Sequence, residues 1–337
     1  MWVELAERLV ALTPFADWVV FAKNGSDVCT WAVQVARAHT RKRKVLKAEG
    51  AYHGIDAWCT PFPRGTLPEE RAHVSTFRYN DTASLEAAFA ESRGDVAALV
   101  LTPFRHDTGR DQELPEPGFL AAARRLCDEE DAVLVLDDIR AGFRLGLRGS
   151  GEFFGLRPDL SCVSKALANG YPLSACLGSE KLRGAAEGVF FTGSFFTSAV
   201  PMAAALACLE VLEKTDAPAH MAAMGRLLLE GLGRQAEAHG LRVRLTGPPA
   251  LPFLTFPSDR GSFERSRLFC AECVRGGVYF HPYHNWFLSA AHTEEDIRRT
   301  LEVTDAAFSA VRRTFGSCPE SDTGSIREGT NTRARWT

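Results

Sequence analysis

A chain of 337 residues, 45% of them hydrophobic, has apolar material for one large domain, or a large and a small one, around a buried core. Its 39 basic and 42 acidic side chains leave a formal charge of -3, which gives no electrostatic footprint for nucleic acid; the cluster Arg41-Lys42-Arg43-Lys44 reads as the flank of a helix. Glu4 and Glu7 stand where a signal peptide needs basic residues, and no apolar stretch reaches the roughly 20 residues that span a bilayer, so a soluble, cytoplasmic protein without membrane or nucleic-acid partners is expected.

Strand-like apolar runs at 18–22, 44–47, 96–101, 132–136 and 160–163 alternate with amphipathic segments, which predicts an α/β fold: a mostly parallel sheet wrapped by helices. A helix is expected to open near Ser26, since Val28, Ala32, Val35 and Ala36 share one face while Gln34 and Arg37 point away. Others are expected over 118–130, behind Pro115 and Pro117, and over 201–212. From Thr215 the pattern changes to a long helix (221–239), short strand-like pieces (242–245, 254–256) and a last helix (294–313). The expected organisation is a large domain over 1–214, a smaller α+β domain over 215–315 and a disordered tail over 316–337, where Ser, Thr, Gly and Arg lack apolar periodicity.

Nine cysteines lie scattered, several in apolar settings such as Cys176 and Cys208, as befits reduced, buried thiols rather than a secreted disulfide framework. Only Cys270 and Cys273 have motif spacing, and no second pair accompanies them. His281 and His284, with His292 nearby, could bring imidazoles together as in a metal hydrolase, but no helical His-Glu-x-x-His pattern joins them and no metal is expected.

The chemistry concentrates at strand ends. Asp137 closes the run 132–136, and in open α/β sheets functional groups gather beyond the carboxyl ends of strands. Lys165 follows the run 160–163 among Val163, Ala166 and Leu167, a setting that disfavours the ammonium form and improves the amine as nucleophile and base. A lysine for a Schiff base and a carboxylate for the pyridine nitrogen are what pyridoxal 5'-phosphate (PLP) chemistry requires. Asn24-Gly25-Ser26 joins a strand to a helix and could seat a phosphate on free backbone N–H groups. Tyr52, beside His53 and Gly54, offers an aromatic face to a flat heterocycle. The sequence has no G-x-G-x-x-G and no Walker A pattern, so dinucleotide and nucleoside triphosphate readings lose their support. No arginine is singled out as a carboxylate clamp; Arg140 and Arg144 follow the aspartates and read equally well as solvated or interfacial side chains.

Residues 21–27, 52–54, 136–144 and 158–165 resemble, in order and rough spacing, the class III PLP-dependent aminotransferases. The likeness is greatest to the glutamate-1-semialdehyde 2,1-aminomutase branch, which residues 277–280 and 287–296 also match, and it covers about 4–313. The resemblance implies a fold type I PLP-dependent transferase. In it Lys165 holds the cofactor, Asp137 pairs with the ring nitrogen, Ile139 and Tyr52 cover the two ring faces, His53 stands beside Tyr52, and Asn24, Gly25 and Ser26 form the phosphate turn. Gly193-Ser194-Phe195 resembles the segment that reaches the neighbouring subunit's phosphate, which implies a homodimer with shared sites. Asp138 replaces the family's usual glutamate, Ser194 its threonine, and Thr102-Pro103 a common Glu-Pro. The family also normally carries a long segment ahead of the stretch matching 4–12, and its absence bears on substrate recognition. A transaminase acting on a small amine or amino acid and a keto or aldehyde acceptor is expected, with an intramolecular aminomutase and a non-catalytic homologue as alternatives.

Overall fold

Seven strands build the main sheet of a computed structural model that describes residues 1–317: β1 (Trp18–Ala22), β2 (Lys44–Ala48), β3 (Val74–Phe77), β4 (Val96–Leu101), β5 (Val133–Asp137), β6 (Leu160–Val163) and β7 (Ser174–Gly178). Their order is β1-β7-β6-β5-β4-β2-β3, and all neighbours are parallel except those of β7, which runs against both β6 and β1. Six strands therefore point the same way, and their carboxyl ends open on one edge.

The apolar runs are continuous because both faces of the sheet are covered. Alternate residues serve opposite sides. Ala98, Val100, Val133 and Val135 face a core shared with α2 (Gly25–Thr40), whereas Leu99, Leu101, Leu134 and Leu136 face a core shared with α4 (Thr82–Glu91) and α5 (Phe119–Glu129). The other helices of this part are α1 (Trp2–Leu12), the single turn α3 (Pro68–Arg71), α6 (Ser150–Phe154), α7 (Arg183–Gly188) and α8 (Ala199–Lys214).

Helix α2 buries more than its expected face. Val28, Ala32, Val35 and Ala36 are buried as predicted, and Cys29, Trp31 and Val33 are buried too. The reason is a second layer: the Trp31 ring stacks on Phe191 at 5.0 Å, so the helix is covered on its outer side. Each of these valines, fully buried, contributes roughly 1.5–3 kcal/mol.

The chain divides into two compact units, residues 1–107 with 112–222, and 108–111 with the chain from 223 onward, rather than at 214/215. The boundary falls inside α9 (Ala217–Ala238). Residues 108–111 join the second unit because Asp111 accepts hydrogen bonds from Arg244 (2.8 Å) and Thr255 (2.5 Å), on the hairpin of β8 (Arg244–Thr246) and β9 (Phe253–Thr255). In that unit α10 (Glu264–Arg275) packs on α11 (Glu294–Phe315) through Phe269 and Phe308, whose rings lie 4.7 Å apart. Thr293 and Asp296 close the capping box that starts α11. The expected tail beyond Ser317 lies outside the described residues. Among the described residues no helix is long and apolar enough to cross a membrane.

Candidate active site

Each sequence-predicted site residue of the first unit except Ser194 stands just beyond, or at the end of, one of the six like-directed strands. The parallel register pairs Asp137 with Cys162, and the Asp138 amide donates to the Cys162 carbonyl at 2.9 Å. Asp137 is the last residue of β5 and is 6% exposed. Its Oδ2 lies 2.8 Å from His53 Nδ1, and its Oδ1 accepts the Ile139 amide at 3.2 Å. The carboxylate is thus fixed by a backbone amide and an imidazole. His53 is itself buried, with its ring parallel to that of Trp58 at 6.3 Å. Its Nε2 has no protein partner.

Lys165 opens a short 3-10 turn after β6, with a φ of 45°. Left-handed backbone is strained for a lysine and turns the side chain away from the strand direction. The residue is exposed to solvent. Burial of the amine depresses its pKa; Asp137 and Cys29 oppose that effect, while Arg140 and Arg144 reinforce it.

The turn before α2 is built for close approach. The Asn24 amide donates to Asp27 Oδ2 at 2.7 Å, and Ser174 Oγ donates to the Asn24 carbonyl at 2.8 Å. A Cβ on Gly25 would sit 2.5 Å from Ile139 Cδ1. A Cβ on Gly54, whose φ is +137°, would meet Ser26 Oγ at 2.7 Å and Ser26 Cα at 3.0 Å. Ser26 Oγ also accepts the Ile55 amide at 3.2 Å. The fold therefore brings the 24–26 turn, Ile139 and the 52–55 loop together, with glycine at both contacts. Tyr52 is 46% exposed, leaving its ring face accessible.

Asp138, next to Asp137, is 1% exposed and accepts the Ser150 amide at 2.8 Å; burial pushes its carboxyl up to about 7. Thr102 is buried at the end of β4. Ser194 lies in the 193–196 turn, where the Phe196 amide donates to the Gly193 carbonyl at 3.1 Å, and Lys23 Nζ sits 5.3 Å from the Phe195 ring centre.

Sequence reasoning read His53 only as the neighbour of Tyr52. Its bond to Asp137 joins residues 84 positions apart, and no local pattern signals it. Cys29, Cys162 and Cys176 cluster beneath Asp137: hydrogen bonding to Cys162, then burial, raises the Cys29 thiol. Eight cysteines of the described residues are free and seven of them buried. Cys270 and Cys273 lie inside α10, and burial pushes Cys270 up to about 12. In the second unit the rings of His281 and His284 are 6.1 Å apart, and among the described residues no group of three or more metal-ligating side chains comes together.

Two groups of this geometry suit a phosphorylated pyridine aldehyde. The buried Asp137 carboxylate is held to accept from a ring N–H, and the glycine-lined helix start can receive a phosphate. A family model for aminotransferase class-III matches residues 1–293. Aminopentol aminotransferase of Sphingopyxis macrogoltabida is 49% identical over 315 residues, covering 94% of this chain and 74% of that protein. 3-Aminobutyryl-CoA aminotransferase of Cloacimonas acidaminovorans (strain Evry) is 34% identical over 312 residues, covering 92% and 75%. Glutamate-1-semialdehyde 2,1-aminomutase of Syntrophobacter fumaroxidans is 29% identical over 336 residues, covering 92% and 77%. Among solved structures, the FumI protein of Sphingopyxis sp. MTA144, determined with PLP, superposes with a TM-score of 0.91 at 49% identity, over 94% of this chain and 77% of that one.

Proposed function

Because the chain belongs to the class III aminotransferases, a family of PLP-dependent amino-group transfer enzymes, we propose that Lys165 and Asp137 are its catalytic residues, and that the amine it accepts is not an α-amino acid. When bound, PLP supplies an aldehyde that takes amines covalently and a pyridinium ring that draws electrons from the neighbouring carbon. Asp137 holds the proton on the ring nitrogen, and His53 keeps the carboxylate oriented through its 2.8 Å contact. Lys165 is the amine that would hold the cofactor and would serve as base and acid at the substrate carbon. Burial favours its neutral form, the form both roles need. Ile139 and Tyr52 would cover the cofactor ring, and Asn24, Gly25 and Ser26, at the start of α2, would hold its phosphate.

The single observation that supports this reading is the strand register that sets Asp137 opposite Cys162 on adjacent parallel strands, three residues ahead of Lys165. Changing Lys165 to Ala should abolish the visible absorbance that PLP gives in the wild-type protein. An unchanged spectrum would remove Lys165 from the role.

The relatives support this amine class. Arg140 and Arg144 each donate to a main-chain carbonyl, those of His106 and Arg140, both at 2.7 Å. The relatives at 49% and 34% identity are named for aminopentol and 3-aminobutyryl-CoA, which suggests an amine remote from a free carboxylate. Loading amines of both kinds and α-amino acids, then following loss of the visible band, tests this; a band that responds to α-amino acids alone would overturn it.

An intramolecular aminomutase is the second reading, resting on the 29% relative and the 277–280 and 287–296 motifs. Release of amine to an external keto acid separates the two, since only a transaminase completes that half-reaction. We also propose a homodimer. Phe190, Phe195 and Val200, 86%, 66% and 63% exposed, lie within six residues of Ser194 in the chain and would meet a second copy, whose phosphate Ser194 would reach.

A further inference from the structure

The loop that carries Tyr52 and His53 is fastened to α2 at two levels. Ser26 Oγ accepts the Ile55 amide at 3.2 Å. Four residues on, and so on the same face of the helix, Thr30 Oγ1 accepts from the Trp58 indole Nε1 at 2.8 Å and donates to Asp56 Oδ2 at 2.5 Å. The hydroxyl is satisfied as donor and acceptor, and it ties Asp56 and Trp58 to one atom of α2. Arg71 Nη1 adds a further tie, donating to the Ala57 and Thr60 carbonyls at 2.5 Å and 3.0 Å. Trp58 is buried in the core shared with α2. Its ring lies within 3° of parallel to that of His53, with centres 6.3 Å apart, an offset stack.

His53 needs such a wall. Its Nδ1 lies 2.8 Å from Asp137 Oδ2, while its buried Nε2 has no hydrogen-bond partner among the described residues. One hydrogen bond fixes one point of an imidazole and leaves the ring free to turn about its Cβ–Cγ bond, a broad torsion; a parallel indole limits that turn. We propose that Trp58 is a positioning residue for the amino-transfer reaction: tethered by Thr30, its indole fixes the plane of the His53 ring and, through it, the direction of the Asp137 carboxylate. This rests on the assignment of Asp137 to the cofactor's ring nitrogen above. Because α2 also begins with the 24–26 turn, the groups assigned to the phosphate and to the ring nitrogen are joined through Thr30.

The test is a double-mutant cycle read by PLP affinity in equilibrium dialysis. Thr30→Val removes the hydroxyl at nearly constant shape, and Trp58→Phe keeps a flat ring without the N–H. Each should weaken PLP binding by about 3- to 10-fold, the worth of one hydrogen bond, while Thr30→Ser retains wild-type affinity. Because the effect passes through His53, adding Thr30→Val to His53→Phe should cost nothing further. Equal losses in both backgrounds, or none in either, would mean that the network only braces the loop, and either result overturns the proposal. A second readout needs no cofactor. The NMR resonance of the His53 Nδ1 proton, identified by its loss in His53→Phe, should exchange with solvent faster in Thr30→Val than in wild type; unchanged exchange also overturns the proposal. If Trp58→Phe does not fold, the Thr30→Val cycle and this resonance decide. PLP binding to Asp137→Ala as tight as to wild type would instead defeat the assignment of Asp137, a distinct outcome.

Discussion

His53 Nδ1 and Asp137 Oδ2 lie 2.8 Å apart in a pocket where both side chains are almost fully buried, so each fixes the other. The imidazole reaches the carboxylate from the loop after β2, two strands away from β5 in the sheet. Replacing His53 with Phe keeps a flat ring against Trp58 and removes the hydrogen bond. PLP affinity and kcat/KM are expected to fall by about 10- to 100-fold, the equivalent of one lost charged hydrogen bond. Equilibrium dialysis with PLP checks the first; unchanged affinity would mean that Asp137 needs no such support.

Gly54, in the loop after β2, packs directly against Ser26 of the 24–26 turn. Alanine there would be strained at a φ of +137° and would strike Ser26 backbone and hydroxyl. Gly54→Ala is expected to destabilise the protein by on the order of 2–3 kcal/mol. It should also weaken PLP binding more than Gly65→Ala, a change at another positive-φ glycine with open space around it. Thermal unfolding with and without PLP measures both effects.

Asp138 gives a pH dependence of known sign. Burial lifts its carboxyl to about 7, above the value near 4 of an unfolded chain. The folded state keeps a proton that the unfolded chain gives up, so stability from this group is full below about pH 4 and is lost as the pH rises through about 7. Asp138→Asn ends the titration while leaving an oxygen for the Ser150 amide. Wild type should therefore lose stability relative to the variant between pH 4 and 7, by on the order of a few kcal/mol, as denaturant unfolding across that range would record.

The apolar surface beside Ser194 makes a prediction about assembly. Phe190→Asp, a change at a side chain 86% exposed, should leave the fold intact and shift the sedimentation of the protein from dimer to monomer. Wild type sedimenting as a monomer would sink the dimer and, with it, the shared role of Ser194.

Much of the fold was legible because the buried parallel strands are unbroken apolar runs. The runs at 96–101, 132–136 and 160–163 correspond to β4, β5 and β6 within a residue. Strands β3 and β7 escaped notice: Val74-Ser75-Thr76-Phe77 is short and polar, and Ser174-Ala175-Cys176-Leu177-Gly178 carries weak strand formers that hold because they pair with strands on both sides. The positions of Asp137 and Lys165 were legible for a local reason, since Asp137 closes a readable strand and Lys165 follows one. His53 and Arg140 were not. Their partners come from distant segments, and an arginine after two aspartates gives no sign that its guanidinium will turn inward to the His106 carbonyl.

The Asp137–Cys162 register brings together strand ends that are far apart along the chain. The connection over 145–157 returns to them through the Ser150 amide, which donates to Asp138. Lys165 lies past the end of β6 in a short 3-10 turn, so the amine is placed by that turn as well as by the register.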